Sequence, residues 1–254
     1  MGRVFCVANQ KGGVGKTTTA VSLADAFAKS SAKTLLIDFD LQCNATSGLG
    51  LKPFESSPFV PTCETVATLA DVIVTTQTPN LDILPGSRRT ADVEVLLGTK
   101  PTEAARIHDQ IQQAISQYEF VLFDCPPSLK HLTQLALFSS TEIFIPIKCD
   151  DYFSMEGLAQ MITVIKKIME QKPEQLEFGG VLLTMYDASW QLTYEIEREV
   201  RDFFGEIVFK TVIPRDSAIS EAPSHGKPIL DYAPRSRGAR AYVELCMEIL
   251  APQA

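Results

Sequence analysis

Residues 11–17 read Lys11-Gly12-Gly13-Val14-Gly15-Lys16-Thr17. An apolar run, Val4-Phe5-Cys6-Val7-Ala8, precedes them. A helical pattern from Thr17 to Lys29 follows, with Ala20, Leu23, Ala24 and Phe27 on one face. Strand, glycine-rich turn and helix in that order form a phosphate site. Gly12, Gly13 and Gly15, with Val14 among them, let backbone N–H groups converge on phosphate oxygens without a Cβ in the way. Lys16 has the reach to meet β- and γ-phosphates, and the Thr17 hydroxyl suits Mg²⁺. Thr18, opening the helix, is placed to touch the α-phosphate.

Two more apolar runs end in acid. Leu35-Leu36-Ile37-Asp38-Phe39-Asp40 is followed by Leu41-Gln42-Cys43-Asn44-Ala45-Thr46, and Phe120-Val121-Leu122-Phe123-Asp124 leads into Cys125-Pro126-Pro127-Ser128. Such runs read as buried parallel strands, whose C-terminal ends are where these sheets hold ligands. Asp124 fits the carboxylate that holds Mg²⁺, and Asp38 reads as structural or as an outer contact. The pattern G-x-x-x-x-G-K-[ST] wants glycine at position 10, which here is Gln10, and a second lysine, Lys11, follows it. One triphosphate needs one loop lysine, so Lys11 calls for its own account: a solvated loop lysine, or a charge that neutralises phosphate from a second subunit.

The loop resembles the deviant Walker A motif of the ParA/MinD ATPases, in which a signature lysine crosses a dimer interface. Further segments resemble chromosomal-type ParA (Soj). They are Ile145–Cys149, Met155–Leu158, Leu183-Thr184-Met185-Tyr186-Asp187, Phe209–Arg215 and Ser220–Pro228. The resemblance spans nearly the whole chain. It implies ATP and Mg²⁺ as cofactors, Asp40 as the catalytic aspartate close to the metal, and Lys11 as its catalytic companion across a homodimer. It also implies Met185 and Pro214 beside the nucleotide, non-specific DNA as a ligand, and a ParB-type activating protein. Where the family carries arginines that hold DNA, this chain has Ser189 and Ala218, and Leu41 and Cys43 replace the family's usual proline and glycine in the switch after Asp40.

The bulk numbers fit this picture. A chain of 254 residues with 45% hydrophobic residues supports a sizeable core, and no linker or repeat divides it, so residues 1–254 read as one domain. Six cysteines, at 6, 43, 63, 125, 149 and 246, include no C-x-x-C pair and read as reduced thiols of a cytoplasmic protein. No signal peptide and no apolar stretch of the ~20 residues a membrane span needs is visible. His108, His131 and His225 are isolated, and Trp190, the only tryptophan, reads as partly buried packing.

Net charge is −8, but residues 210–240 carry six bases against three acids, a local +3. Lys210, Arg215, Lys227, Arg235, Arg237 and Arg240 are therefore the candidate phosphate contacts for DNA, with Asp216 as a nearby opposing charge. Strands are expected near 3–8, 34–39, 81–84, 120–124, 142–147, 178–184 and 208–213. Helices are expected near 16–29, 102–117, 131–139, 154–170, 190–204 and 235–250, with shorter ones near 44–49, 67–75 and 89–97. The alternation gives the fold class α/β: a single-domain P-loop NTPase with a mainly parallel twisted sheet covered by helices on both faces.

Function then divides into two readings. The leading one is an ATP-dependent dimer switch that drives DNA partitioning. The alternative is a nucleotide-gated protein scaffold with little DNA affinity, acting on another assembly such as a replication initiator. A MinD-type membrane switch needs a basic amphipathic C-terminus, and this chain ends Leu250-Ala251-Pro252-Gln253-Ala254. An iron–sulfur reductase needs matched cluster-ligating cysteines, which the spacing does not supply.

Overall fold

A computed structural model of the chain describes residues 2–59, 68–100, 102–150, 155–171 and 176–251. Cys63, Pro101, the helix-start residues 151–154 and Pro252 lie outside the described residues, as do the last residues of the Pro- and Ser-rich loop 50–63 and the first of the helix expected at 67–75.

The strands are β1 (Arg3–Val7), β2 (Thr34–Asp38), β3 (Val74–Thr75), β4 (Leu81–Leu84), β5 (Phe120–Asp124), β6 (Glu142–Lys148) and β7 (Glu177–Thr184). They form one seven-stranded sheet in the order β3-β4-β2-β5-β1-β6-β7. Every pairing is parallel except β3 with β4 at the edge. The helices in chain order are α1 (Lys16–Lys29), α2 (Asn44–Gly48), α3 (Thr90–Thr99), α4 (Thr102–Ile115) and α5 (His131–Ser139). Then come α6 (Met155–Gln171), α7 (Gln191–Phe204), α8 (Ser217–Glu221), α9 (Ile229–Tyr232) and α10 (Arg237–Leu250).

The strand period of two sorts side chains into two cores. Val4, Cys6, Leu35, Ile37, Val121 and Phe123 point to one face, under Ile107 and Ile111 of α4, Leu135 of α5 and Val200 of α7. Phe5, Val7, Leu36, Leu122 and Phe144 point to the other, under Leu23 and Phe27 of α1 and Tyr242 and Leu245 of α10. Helices thus cover both faces, and this fixes the C-terminal strand ends as the one edge where loops converge.

Two expected elements take another form. Residues 208–213 make no strand. Phe209 and Ile213 donate to the Val181 and Leu183 carbonyls, but the N–H groups of Lys210 and Thr211 go to the Glu248 carboxylate of α10, which interrupts the ladder. The helix expected at 67–75 is a short 3₁₀ turn, Leu69–Val72, closed by Thr68 and Asp71 bonding each other's ends. It runs into β3, as suits the β-branched run Val72-Ile73-Val74-Thr75. α10 begins at Arg237 because the Ser236 hydroxyl caps it by accepting from the Ala239 N–H at 3.1 Å.

Candidate nucleotide site

The loop between β1 and α1 is held from three sides. Asn9, 4% exposed, donates to the Pro146 carbonyl at 2.8 Å, and its side-chain oxygen accepts from the Lys11 N–H at 2.9 Å. The Thr184 hydroxyl, at the end of β7, reaches the Val14 carbonyl at 2.9 Å. The Lys16 ammonium donates to the Lys11 carbonyl at 3.0 Å, closing the loop on itself. Gly13 and Gly15 take φ values of 68° and 89°, which a side chain would strain. A Cβ at Gly12 would meet nothing within 4 Å, so room for it exists in the protein, and its absence matters only to a ligand lying against the backbone. α1 begins here with no side-chain cap and no acid in its first turn, leaving its first N–H groups and the positive end of its dipole for an anion.

Three carboxylates gather at this edge. Asp38 is fully engaged: one oxygen accepts from the Asp40 N–H at 3.2 Å, the other from the Thr46 N–H at 2.9 Å and hydroxyl at 2.6 Å. Thr46 in turn accepts from the Gly86 N–H at 2.9 Å. Asp40 accepts from the Gln42 N–H at 2.9 Å and is 7% exposed. Asp124 is completely buried, and neither of its oxygens has a partner of hydrogen-bonding geometry. The Thr17 hydroxyl stands beside it and favours its charged form. Burial first, and the Asp38 charge second, push the Asp124 carboxyl well above the ordinary carboxylate range. Burial likewise pulls Lys16 down, opposed by Asp124 and Asp40. A buried acid with two orphaned oxygens beside a threonine hydroxyl is the donor set of a hard divalent cation, so Thr17 and Asp124 fit Mg²⁺.

Two cavities adjoin the loop. One of about 520 Å³ lies between Thr17, Thr18, Asn44, Met185, Ser220 and Lys227. The other, of about 180 Å³, is lined by Gly15, Thr18, Asp150, Met185, Pro214 and Arg215, and the two share Thr18, Met185, Ile219 and Ser220. Met185 stands at φ 52°, and Tyr186 and Pro214 form an isolated parallel bridge beside it.

Residues 2–178 match the family model described as an AAA domain. The chain is 40% identical to the sporulation initiation inhibitor protein Soj of Bacillus subtilis over 252 residues, 99% of each chain. It is 39% identical to the chromosome partitioning protein ParA of Caulobacter vibrioides, covering 98% of this chain and 94% of that one. The chain belongs to the Soj/ParA family of chromosome-partitioning ATPases. Its fold is also that of the septum site-determining protein MinD of Pyrococcus horikoshii, solved with Mg-ADP, at TM-score 0.77 and 27% identity, covering 98% and 96% of the two chains.

Within this Soj/ParA protein the six candidate DNA bases do not form one patch. Lys210 neighbours Glu248, about 16 Å along α10 from Arg237 at ~1.5 Å per residue. Lys227 lines the larger cavity. Arg215 and Arg237 stand together, Arg237 donating to the Arg215 carbonyl at 3.1 Å. Arg235 and Arg240 are exposed close by in sequence. Asp216 is no free opposing charge. Its oxygens accept from the Ala218 and Gly238 N–H groups at 3.0 and 2.8 Å, tying α8 to the first turn of α10. Trp190 is partly buried, at 43% exposed, with the Arg215 guanidinium 5.2 Å over its ring. The five described cysteines are buried free thiols, and no described helix is long and apolar enough to cross a membrane. Asn9 and Asp150 are site residues the sequence reading passed over, and Thr184 entered it only within the segment 183–187. Each lies at or just past the end of a strand.

Proposed function

We propose that this protein binds Mg-ATP at the loop 11–18, dimerises through that face and hydrolyses ATP slowly, in a cycle that partitions DNA with a ParB-type partner. The observation that carries the reading is the orphaned Asp124 carboxylate beside Lys16, Thr17 and the uncapped end of α1. Gly12 to Gly15 supply N–H groups, Lys16 exchanges the Lys11 carbonyl for phosphate oxygens, and Thr18, Met185 and Pro214 bound the nucleoside. Thr17 and Asp124 hold Mg²⁺, with Asp40 nearby, and the ion when bound neutralises charge on the phosphates. Asp40, steadied by the Gln42 N–H, orients the attacking water. Lys11, its backbone fixed by Asn9, presents its charge to the nucleotide of the second subunit. Among the described residues no histidine lines the two cavities, and the lack of a strong base is the basis for slow turnover without a partner. DNA meets Arg215, Arg235, Arg237 and Arg240, with Lys210 and Lys227 contributing from the sides.

Light scattering with a non-hydrolysable ATP analogue tests the core of this reading. Wild type doubles in mass, and Lys11→Ala binds the analogue yet stays monomeric. A Lys11→Ala dimer as stable as wild type defeats it. The scaffold reading has an observation of its own: Arg215 is ion-paired with Asp150, and Ser189 and Ala218 bring no charge to the DNA face.

A further inference from the structure

Arg215 stands at the boundary between the inside of the smaller cavity and the outer surface. Its guanidinium is hydrogen-bonded and ion-paired to Asp150, a cavity-lining residue 12% exposed at its side chain, while Arg215 itself is 49% exposed there. The same guanidinium lies over Trp190. Its backbone cannot follow any side-chain movement, because the Arg215 N–H donates to the Tyr186 carbonyl at 2.9 Å and the Arg215 carbonyl accepts from Arg237. Asp150 does not depend on Arg215 alone. Its other oxygen has no hydrogen bond but lies 3.3 Å from the Lys148 ammonium, so departure of Arg215 leaves no isolated buried charge. That lowers the cost of exchange, and the indole face keeps hold of the guanidinium when Asp150 lets go.

We propose that Asp150 is a gate on Arg215: it sequesters the guanidinium while the cavity is empty, and a nucleotide entering the cavity releases it to the surface. A donor on the incoming nucleoside, an amine or a ribose hydroxyl, competes with Arg215 for the Asp150 carboxylate, which lines the cavity. The freed guanidinium stays over Trp190 beside Arg237, and its charge, no longer held by Asp150, adds one phosphate contact for nucleic acid. The inference rests on the nucleotide and DNA readings above, and it makes DNA affinity a function of cavity occupancy within one subunit.

The test uses Asp150→Asn, which keeps shape and removes charge, together with Arg215→Gln. Duplex binding is read by fluorescence anisotropy on random-sequence DNA, with and without ATP. Nucleotide-free Asp150→Asn should bind about tenfold tighter than nucleotide-free wild type. Its plot of log affinity against log salt should steepen by about 0.9 for each guanidinium set free. Arg215→Gln should lose the gain that ATP gives wild type. If wild type binds DNA with ATP and Asp150→Asn matches wild type without it, the gate is wrong. If no protein binds duplex in any state, the DNA reading falls, and emission from Trp190, the only tryptophan, decides the gate. ADP should then shift wild-type emission, Asp150→Asn should show the shifted emission before ADP, and Arg215→Gln should show no shift. An unmoved wild-type emission overturns the gate.

Discussion

Asp38 and Asp124 are register partners at the ends of β2 and β5, side by side on adjacent parallel strands, yet they live in opposite circumstances. Asp38 receives three hydrogen bonds, from Thr46 twice and from Asp40, and its carboxylate ties the strand end to α2 and, through Thr46, to Gly86. Asp124, equally buried, receives none of hydrogen-bonding geometry. Protein interiors seldom leave such groups unpaired, because each orphan costs about 1–3 kcal/mol and more when charged. On the proposed reading, the saturated acid serves the fold and the orphaned acid serves a ligand. Two residues of one type at one sheet edge are told apart by their partners and not by their positions.

The sharpest way to break this contrast is Asp124→Asn. If the orphan serves a metal, ATPase activity should fall at least ~100-fold, the scale on which losing a charge-stabilising group acts. At a pH high enough to ionise Asp124, the same change should stabilise the empty protein by about 1–3 kcal/mol, since an amide carries no buried charge. At ~2–4 °C per kcal/mol for a chain of this size, the melting temperature in chelator should rise by several degrees. Activity and melting curves measured together decide it. A variant that is both active and no more stable removes Asp124 from the metal site.

The next comparison sets Asp40 against Asp38. Asp40→Ala gives up one hydrogen bond, from the Gln42 N–H, so the fold and nucleotide affinity should survive while hydrolysis stops. Asp38→Ala strands the Thr46 N–H and hydroxyl in the core and should cost about 3 kcal/mol, with loss of order in α2. Calorimetric ATP titration and urea unfolding on both variants separate the two roles. Equal effects on stability would erase the distinction.

Acidity sharpens the same pair. Burial, against the opposing bonds from Thr46, raises the Asp38 carboxyl to about 6 from the ordinary 3.8. The unfolded chain releases this proton first, so between pH 4 and 6 the folded state holds more protons and stability falls as pH rises. Asp124, also raised, adds to the slope in the same direction. In metal- and nucleotide-free protein the loss from Asp38 is on the order of 2–3 kcal/mol, at ~1.4 kcal/mol per unit. Chemical unfolding at stepped pH should show this decline, and Asp38→Asn should flatten it.

The sheet was legible because its strands are apolar runs ended by function-bearing residues, and the loop 11–17 announces itself by its glycines. Six of the seven strands follow from those runs. The segment 208–213 has the same apolar look but misleads, because a carboxylate 37 residues away from Thr211, on α10, takes the N–H groups the ladder needs. No local pattern reports such a competitor. The same limit governs the basic segment. Lys210 and Arg237 are close in sequence, and α10 separates them by most of its length. The sequence reads Asp124 as the metal carboxylate and Asp38 as structural, and the arrival of Thr46 from the following turn supplies a physical reason that no local pattern carries.

The smallest expected effect lies in the turn after Asp40. Cys43 stands at φ 50°, a left-handed conformation that glycine adopts freely and a side chain adopts at a cost of about 1 kcal/mol. Its thiol is fully buried against Gly86, where an added Cβ would come within 3.1 Å of the sulfur and 2.9 Å of the Asp38 carboxyl carbon. The cysteine thus trades backbone strain for a wedge that fixes the turn carrying Asp40, whose carbonyl accepts from the Cys43 N–H at 2.9 Å. Cys43→Gly removes strain and wedge together, so the net change in stability should stay within about 1 kcal/mol of zero. Cys43→Ala removes only the thiol and keeps the strain, so it should destabilise by about 1 kcal/mol. The two variants should also differ in motion: hydrogen exchange over residues 40–46 should quicken more in the glycine variant than in the alanine variant. If glycine and alanine match in stability, the left-handed backbone at Cys43 stores no energy, and the wedge alone sets the stiffness of the turn that presents Asp40.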